Sequence, residues 1–215
     1  MKTFEGFIFD IDGTLTSTND LIFASFNHVA EKYLNKNFSN EEIVSQFGPT
    51  EDVILKNWMN DKYEQARKDY FHFYTTQHNA MADIYPGIKE VLEMIKSHGY
   101  PISIYTGKGK DSAEITLEQI GVRKFFDMIV TGDDVANHKP SPEGIQKFLS
   151  AFNLTPAKVL MIGDAAVDVM ASKQAGVKSA LVLWDSYAKE KFAHLDADYK
   201  FNSVEEFAEF LKKVI

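Results

Sequence analysis

Short apolar runs alternate along this chain with stretches whose apolar positions recur at helical spacing. The runs at residues 7–9, 102–105, 128–130, 159–162 and 180–183 are strand length. They are followed by Asp10, Thr106-Gly107, Thr131-Gly132, Gly163-Asp164 and Trp184-Asp185 in turn, residues that commonly bound strands. Residues 88–97, 112–120, 142–152 and 167–175 carry the amphipathic pattern of helices. Gly99, Gly121 and Gly176 stand where a helix end takes a left-handed residue. Ser141-Pro142 and Thr155-Pro156 read as helix starts with proline at the first position. Strands alternating with helices predict the α/β class, a parallel sheet with helices on both faces.

Residues 16–82 break this alternation. Phe23, Phe26, Val29, Ala30, Tyr33 and Leu34 repeat at helical spacing, followed by further helical patterns around 53–59 and 63–73. A helical insertion after the first strand would sit over the edge where parallel sheets bind ligands. The expected division is a core of residues 1–15 and 83–215 and an inserted α-helical cap of residues 16–82. Gly13 and Met81-Ala82-Asp83 are the expected hinges.

Composition narrows the function. Apolar residues make up 45% of the 215 and charged residues 25%, and there is no cysteine. Disulfides, thiolate metal sites and a cysteine nucleophile are excluded. The net charge of −8 and the lack of a dense basic block disfavour nucleic acid as a partner. No run approaches the roughly 20 apolar residues of a membrane span, and residues 1–6 do not read as a signal segment. A cytoplasmic protein is expected. An acidic enzyme that handles anions must build a local positive site.

The candidate chemistry lies at the strand ends. Asp10 and Asp12 follow the first strand, with Gly13 and Thr14 beyond them. Two close carboxylates repel unless a cation lies between them, although Asp and Gly are also ordinary turn residues. Asp164 follows the fourth strand, and Asp168 lies one helical turn on. Asp168 also suits a helix N-terminus for purely structural reasons. Oxygen donors alone, with room for water and phosphate, suit Mg²⁺. Thr106, Gly107 and Lys108 offer a hydroxyl and backbone N–H groups for phosphate oxygens. Lys139 precedes a Pro-x-Pro turn and could neutralise a phosphate beside the aspartates.

Together, Asp10-x-Asp12-Gly13-Thr14, Thr106-Gly107, Lys139-Pro140 and Gly163-Asp164-x-x-x-Asp168 resemble the four motifs of the haloacid dehalogenase superfamily. Their order and spacing match over nearly the whole chain. Asn19-Asp20-Leu21-Ile22 and Phe47-Gly48-Pro49-Thr50 further resemble its phosphoglycolate phosphatase-like branch, and within it the inorganic pyrophosphatases. Ser17 departs from the Asp that many relatives carry there.

The resemblance implies a Rossmann-like core with a helical cap. It implies a Mg²⁺-dependent phosphohydrolase acting on a small phosphorylated molecule. Asp10 would be the nucleophile, Asp12 the general acid/base and Lys139 the charge-neutralising residue. Asp10, Asp164 and the Asp12 carbonyl would hold the metal, with Asp168 a ligand or its supporting partner. Thr14, Thr106, Gly107 and Lys108 would bind phosphate. Relatives that dehalogenate lack an acid at the Asp12 position, and relatives that pump ions carry Thr there. Asp12 thus favours hydrolysis or phosphomutase chemistry.

The leading activity is a phosphoglycolate phosphatase-like monoesterase; the alternative is an inorganic pyrophosphatase, and a β-phosphoglucomutase-like mutase ranks behind both. The single arginine of the insertion, Arg67, is expected late on a helix, which weighs against a sugar-gripping mutase. Pro49, Thr50 and Glu51 are candidate specificity residues, although Thr50 also suits a plain N-cap followed by acids. His72, His78, Tyr63, Phe71 and Tyr74 are expected to pack the helices. His138 would orient the Lys139 loop. Trp184-Asp185-Ser186-Tyr187 has no assigned role.

Overall fold

The computed structural model describes residues 3–185, 189 and 191–215. Met1, Lys2, Ser186 and Tyr187 lie outside the described residues. Six strands form one parallel sheet: β1 (Gly6–Phe9), β4 (Ile102–Tyr105), β5 (Met128–Val130), β6 (Val159–Gly163), β7 (Lys178–Val182) and β8 (Tyr199–Phe201). Their order is β5-β4-β1-β6-β7-β8. The chain runs outward from β1 to one edge and then crosses to β6, so the connections reverse direction beside β1. Open α/β sheets bind ligands at the carboxyl ends of strands at such a reversal.

Side chains of β1 alternate between the two faces, as strand geometry requires. Phe7 and Phe9 pack with α5 (Ile88–Ser97), α6 (Lys110–Gln119) and α9 (Val204–Val214). Ile8 points the other way, into a cluster with Ile145 and Phe148 of α7 (Glu143–Phe152) and Ala171 of α8 (Ala166–Ala175). The result is the expected three-layer α/β core.

Helices α1 (Asn19–Leu34), α2 (Asn40–Val44), α3 (Glu51–Met59) and α4 (Tyr63–Met81) follow the first strand. They enclose an apolar cluster of their own, with Phe26, Leu55, Tyr70 and Tyr74 buried in it. The two chain crossings into these helices run side by side. β2 (Thr16–Ser17) pairs antiparallel with β3 (Asp83–Ile84), and Thr16 Oγ1 donates to the Asp83 carbonyl at 2.6 Å. Among the described residues no helix is long and apolar enough to cross a membrane.

Several local expectations change. Thr155-Pro156 starts only a single 3-10 turn, Pro156–Lys158, because β6 begins at Val159. The final strand and helix, β8 and α9, escape the pattern: β8 has three residues with an exposed Lys200 at its centre. Arg67 lies near the start of α4 rather than late on it. His72 is exposed, whereas His78 is buried beside Thr116.

Candidate active site

Asp10, Asp12, Thr106, Lys139 and Asp164 meet at the carboxyl end of the sheet because each follows a strand or a strand-end loop. They line a cavity of about 370 Å³ together with Gly107, Lys108 and residues of the helical insertion. Two glycines make the approach possible. Gly13 adopts φ +72°, and a Cβ there would collide with the Asp164 carboxylate. A Cβ on Gly163 would run into Asp168.

Carboxylate oxygens of Asp10, Asp164 and Asp168 all lie within 4.8 Å of one another. Lys139 is set among them: its Nζ is 3.0 Å from Asp10 Oδ2 and 2.6 Å from Asp168 Oδ1. Asp168 also accepts from the Ala165 backbone N–H at 3.1 Å, so it caps α8 and holds Lys139 at once. Burial pushes the Asp10 carboxyl up to about 6, against the pull of Lys139 and with the push of Asp168 and Asp12. Asp164 is raised well above its ordinary range, first by burial, then by Asp168 and Asp10. Burial works to lower Lys139, but Asp10 and Asp168 raise it above a free lysine. The cluster thus carries more negative charge than Lys139 balances. A hard cation fits it: three carboxylates with no His or Cys are the donor type that Mg²⁺ takes.

Asp12 is placed differently. Its carboxylate turns away from that cluster, and its Oδ1 accepts from Lys108 Nζ at 3.1 Å and from the Thr18 hydroxyl. Lys108 is buried, lies over the Tyr74 ring at 5.1 Å and is held protonated by Asp12, Tyr74 and Glu51 against the effect of burial. Its ammonium is therefore engaged by Asp12, while its backbone N–H donates to Thr106 Oγ1 at 3.3 Å. Thr14 is fully buried, does not line the cavity, and its hydroxyl has no partner. Among the residues expected to bind phosphate, Thr106, Gly107 and Lys108 reach the cavity and Thr14 does not.

The insertion meets the core at its α3 end. Pro49 and Glu51 line the cavity. Thr50 occupies the N-cap position of α3 without capping it through its side chain, and its methyl group closes over Gly132. Glu51 crosses to the core: its Oε2 accepts from the Gly109 backbone N–H at 2.8 Å, and Oε1 accepts from the Ser112 hydroxyl. Arg67 forms a second bridge, donating to Asp52 at 2.8 and 3.1 Å and to Asp111 of α6. Tyr74 hydroxyl and Thr116 Oγ1, 2.7 Å apart, make a third. His138 lines the cavity with a buried Nδ1 that lacks a partner.

Sequence reasoning missed Thr18, Gly109 and Ser112, which anchor Asp12 and Glu51. It also missed Phe192 and the apolar side chains of α1–α4 that complete the cavity wall. Thr18 meets Asp12 across a six-residue turn, whereas Gly109 and Ser112 gain Glu51 only when two segments about 60 residues apart dock. Trp184 Nε1 donates to the Thr14 carbonyl at 3.2 Å, and Asp185 Oδ2 accepts from Tyr85 hydroxyl at 2.6 Å. The Trp184 bond helps to hold the loop that follows Asp10.

Comparison with known proteins agrees with this geometry. The family model for haloacid dehalogenase-like hydrolases matches residues 7–182. The pyrophosphatase PpaX of Bacillus velezensis is 33% identical over 198 residues, 92% of each chain. A predicted phosphoglycolate phosphatase from Haemophilus somnus shares the fold, with a TM-score of 0.82 at 22% identity over 100% of both chains. A Thermotoga maritima protein proposed to be a β-phosphoglucomutase has a TM-score of 0.74 at 30% identity, over 98% of this chain and 100% of its own. The chain therefore belongs to the haloacid dehalogenase-like hydrolases, and it is a phosphatase of that family.

Proposed function

We propose that this enzyme is a Mg²⁺-dependent phosphohydrolase that forms an aspartyl-phosphate on Asp10 while hydrolysing a small phosphorylated metabolite. The observation that carries the proposal is Asp10 itself: buried, bound to Lys139, and lining a cavity that Asp12 also lines. Residues 16–82 act as a cap on the core of residues 1–15 and 83–215, and their separate apolar cluster supports that division.

In the first step a carboxylate oxygen of Asp10 attacks phosphorus. The bond from phosphorus to the leaving oxygen breaks, its electron pair stays with that oxygen, and Asp12 supplies the proton. In the second step Asp12 takes a proton from water, whose oxygen attacks the same phosphorus. The bond to Asp10 then breaks and inorganic phosphate leaves. Splitting one difficult displacement into two is the advantage of a covalent nucleophile. Asp10, titrating near 6, is largely ionised at pH 7, as a nucleophile must be.

Lys139 neutralises charge at Asp10 and at the transferring group. Lys108 and Thr18 fix Asp12 through Oδ1, which leaves Oδ2 for proton transfer. The Thr106 hydroxyl and the adjacent backbone orient the phosphoryl oxygens. Asp10, Asp164 and the Asp12 carbonyl would hold Mg²⁺, supported by Asp168. When bound, the ion would stabilise the charge on the phosphoryl oxygens, where most catalysis of this reaction lies.

Two substrate readings accompany this chemistry. The phosphoglycolate-like reading draws on the shared fold, and the pyrophosphate reading on the 33% identical PpaX protein. A mutase is disfavoured because Arg67 is bound to Asp52 and Asp111 and does not line the cavity. The test is Asp10→Asn assayed on p-nitrophenyl phosphate with Mg²⁺. Turnover should be lost, and near-normal turnover would refute the proposal.

A further inference from the structure

We infer that the group released with the phosphate is apolar, an aromatic or branched alkyl alcohol, rather than a second phosphate, a carboxylate or a polyol. The inference rests on the phosphohydrolase reading alone, and it replaces both the phosphoglycolate-like and the pyrophosphate substrate with a different class.

The cavity has two unlike ends. At the sheet edge lie the carboxylates and the two lysines that pair with them. The opposite wall belongs to the helical insertion and is mostly apolar, with Ile22, Phe26, Val44, Phe47, Ile54 and Tyr70 in it and Asn19 as its one amide. Ile22, Phe26, Ile54 and Tyr70 are each at least nine-tenths buried in the insertion's own apolar cluster. Packing therefore fixes this wall, and a polar ligand cannot swing it aside.

A second anion would need cations there. Among the described residues, the insertion contributes no lysine or arginine to the lining. Its charged contribution is Glu51, which repels anions and is committed to Gly109 and Ser112. Lys108 and Lys139 are engaged by Asp12 and by Asp10 with Asp168. Lys191 enters from the core side, its ammonium 5.4 Å from the Phe192 ring centre, and Phe192 itself lines the cavity. Asn19 and His138 can pair with one or two polar atoms, but a second charge or several hydroxyls against the apolar side chains would leave most of theirs unpaired, which is costly. An apolar group there gains from leaving water instead. Size agrees: an apolar cavity of about 150 Å³ takes benzene, so about 370 Å³ holds a phosphoryl group and one small ring.

The test compares kcat/KM with Mg²⁺ for benzyl phosphate, phosphoglycolate and pyrophosphate, with p-nitrophenyl phosphate as a control for competent enzyme. The expected result is a preference of tenfold or more for benzyl phosphate over both anionic substrates. Val44→Lys, at a half-buried position, should shift that ratio at least tenfold towards the anions while the melting temperature holds. Equal rates, or a preference for either anion, would overturn the inference and leave the phosphohydrolase reading standing. A preference for an anion that Lys191→Ala abolishes would overturn it in favour of recognition through Lys191. Failure to release phosphate from all four compounds would overturn both.

Discussion

Lys139 Nζ lies 3.0 Å from Asp10 Oδ2 while also holding Asp168 Oδ1 at 2.6 Å. One buried ammonium thus fixes both the proposed nucleophile and the residue that caps α8. Replacing it with methionine keeps the length and removes the charge. Two buried carboxylates, Asp10 and Asp168, would then face each other and the half-buried Asp164 without a cation, and breaking such buried pairs costs on the order of 3 kcal/mol or more. Lys139→Met should lose at least about a hundredfold in kcat, since an electrostatic group of this kind contributes that much. Urea unfolding should show a matching loss of stability. Normal kcat with normal stability would remove Lys139 from the account.

Asp12 should govern the second step more visibly than the first. Without it, attack by Asp10 on a substrate with a good leaving group can still occur, but no base activates water. Asp12→Ala should therefore give a burst of p-nitrophenol close to one equivalent per enzyme, followed by slow turnover. Stopped-flow absorbance reads this directly. A slow release with no burst would place the Asp12 contribution elsewhere.

Glu51 ties the insertion to the core and is buried. Burial raises its carboxyl above the ordinary 4.5, against Lys108 and the Gly109 N–H. The native state then binds this proton more tightly than the unfolded chain does. Stability from this group is highest below pH 4.5 and falls as pH rises towards the elevated value. Glu51→Gln keeps the shape and can keep both hydrogen bonds, but it does not ionise. The variant should melt higher than the wild type at pH 7, and the gap should close towards pH 4. Thermal melts across this range check the sign, and a variant that melts lower at pH 7 would reverse it.

Metal affinity should depend on pH in the opposite direction. Asp10 titrates near 6, and Asp164 is raised by burial and by its acidic neighbours. Ligands must lose their protons to bind a cation. Roughly a tenth of Asp10 is ionised one unit below its pKa and roughly nine-tenths one unit above. Mg²⁺ binding should strengthen from pH 5 to pH 7 with release of protons, as calorimetry in two buffers of different ionisation heat would show. A flat profile would argue against these aspartates as ligands.

Much of the sheet and the acidic edge was legible in the sequence. Asp10, Thr106 and Asp164 each follow a strong apolar strand, so strand ends alone suffice to place them together. The alternation of Phe7, Ile8 and Phe9 between two apolar layers follows from the same pattern. What was hidden depends on docking. Glu51 reads as an ordinary first-turn acid until α3 meets Gly109 and Ser112. Arg67 gives no sign of reaching Asp111, because the two are 44 residues apart. The β2–β3 pair is two residues per strand, too short for any periodicity. Thr14 shows the reverse: the motif offered it to the phosphate, and the fold buried its hydroxyl away from the cavity.

Transfer of the phosphoryl group to Asp10 leaves a trace that can be read chemically. The direct measurement is to mix enzyme, Mg²⁺ and p-nitrophenyl phosphate, quench within the first turnover, reduce with borohydride and map the peptides by mass spectrometry. Borohydride reduces an acyl phosphate and leaves a free carboxylate unchanged. Reduction is expected at Asp10 in the wild type, more of it in Asp12→Ala, and none without substrate. Reduction at another carboxylate, or no reduction in Asp12→Ala while phosphate is still released, would contradict transfer to Asp10.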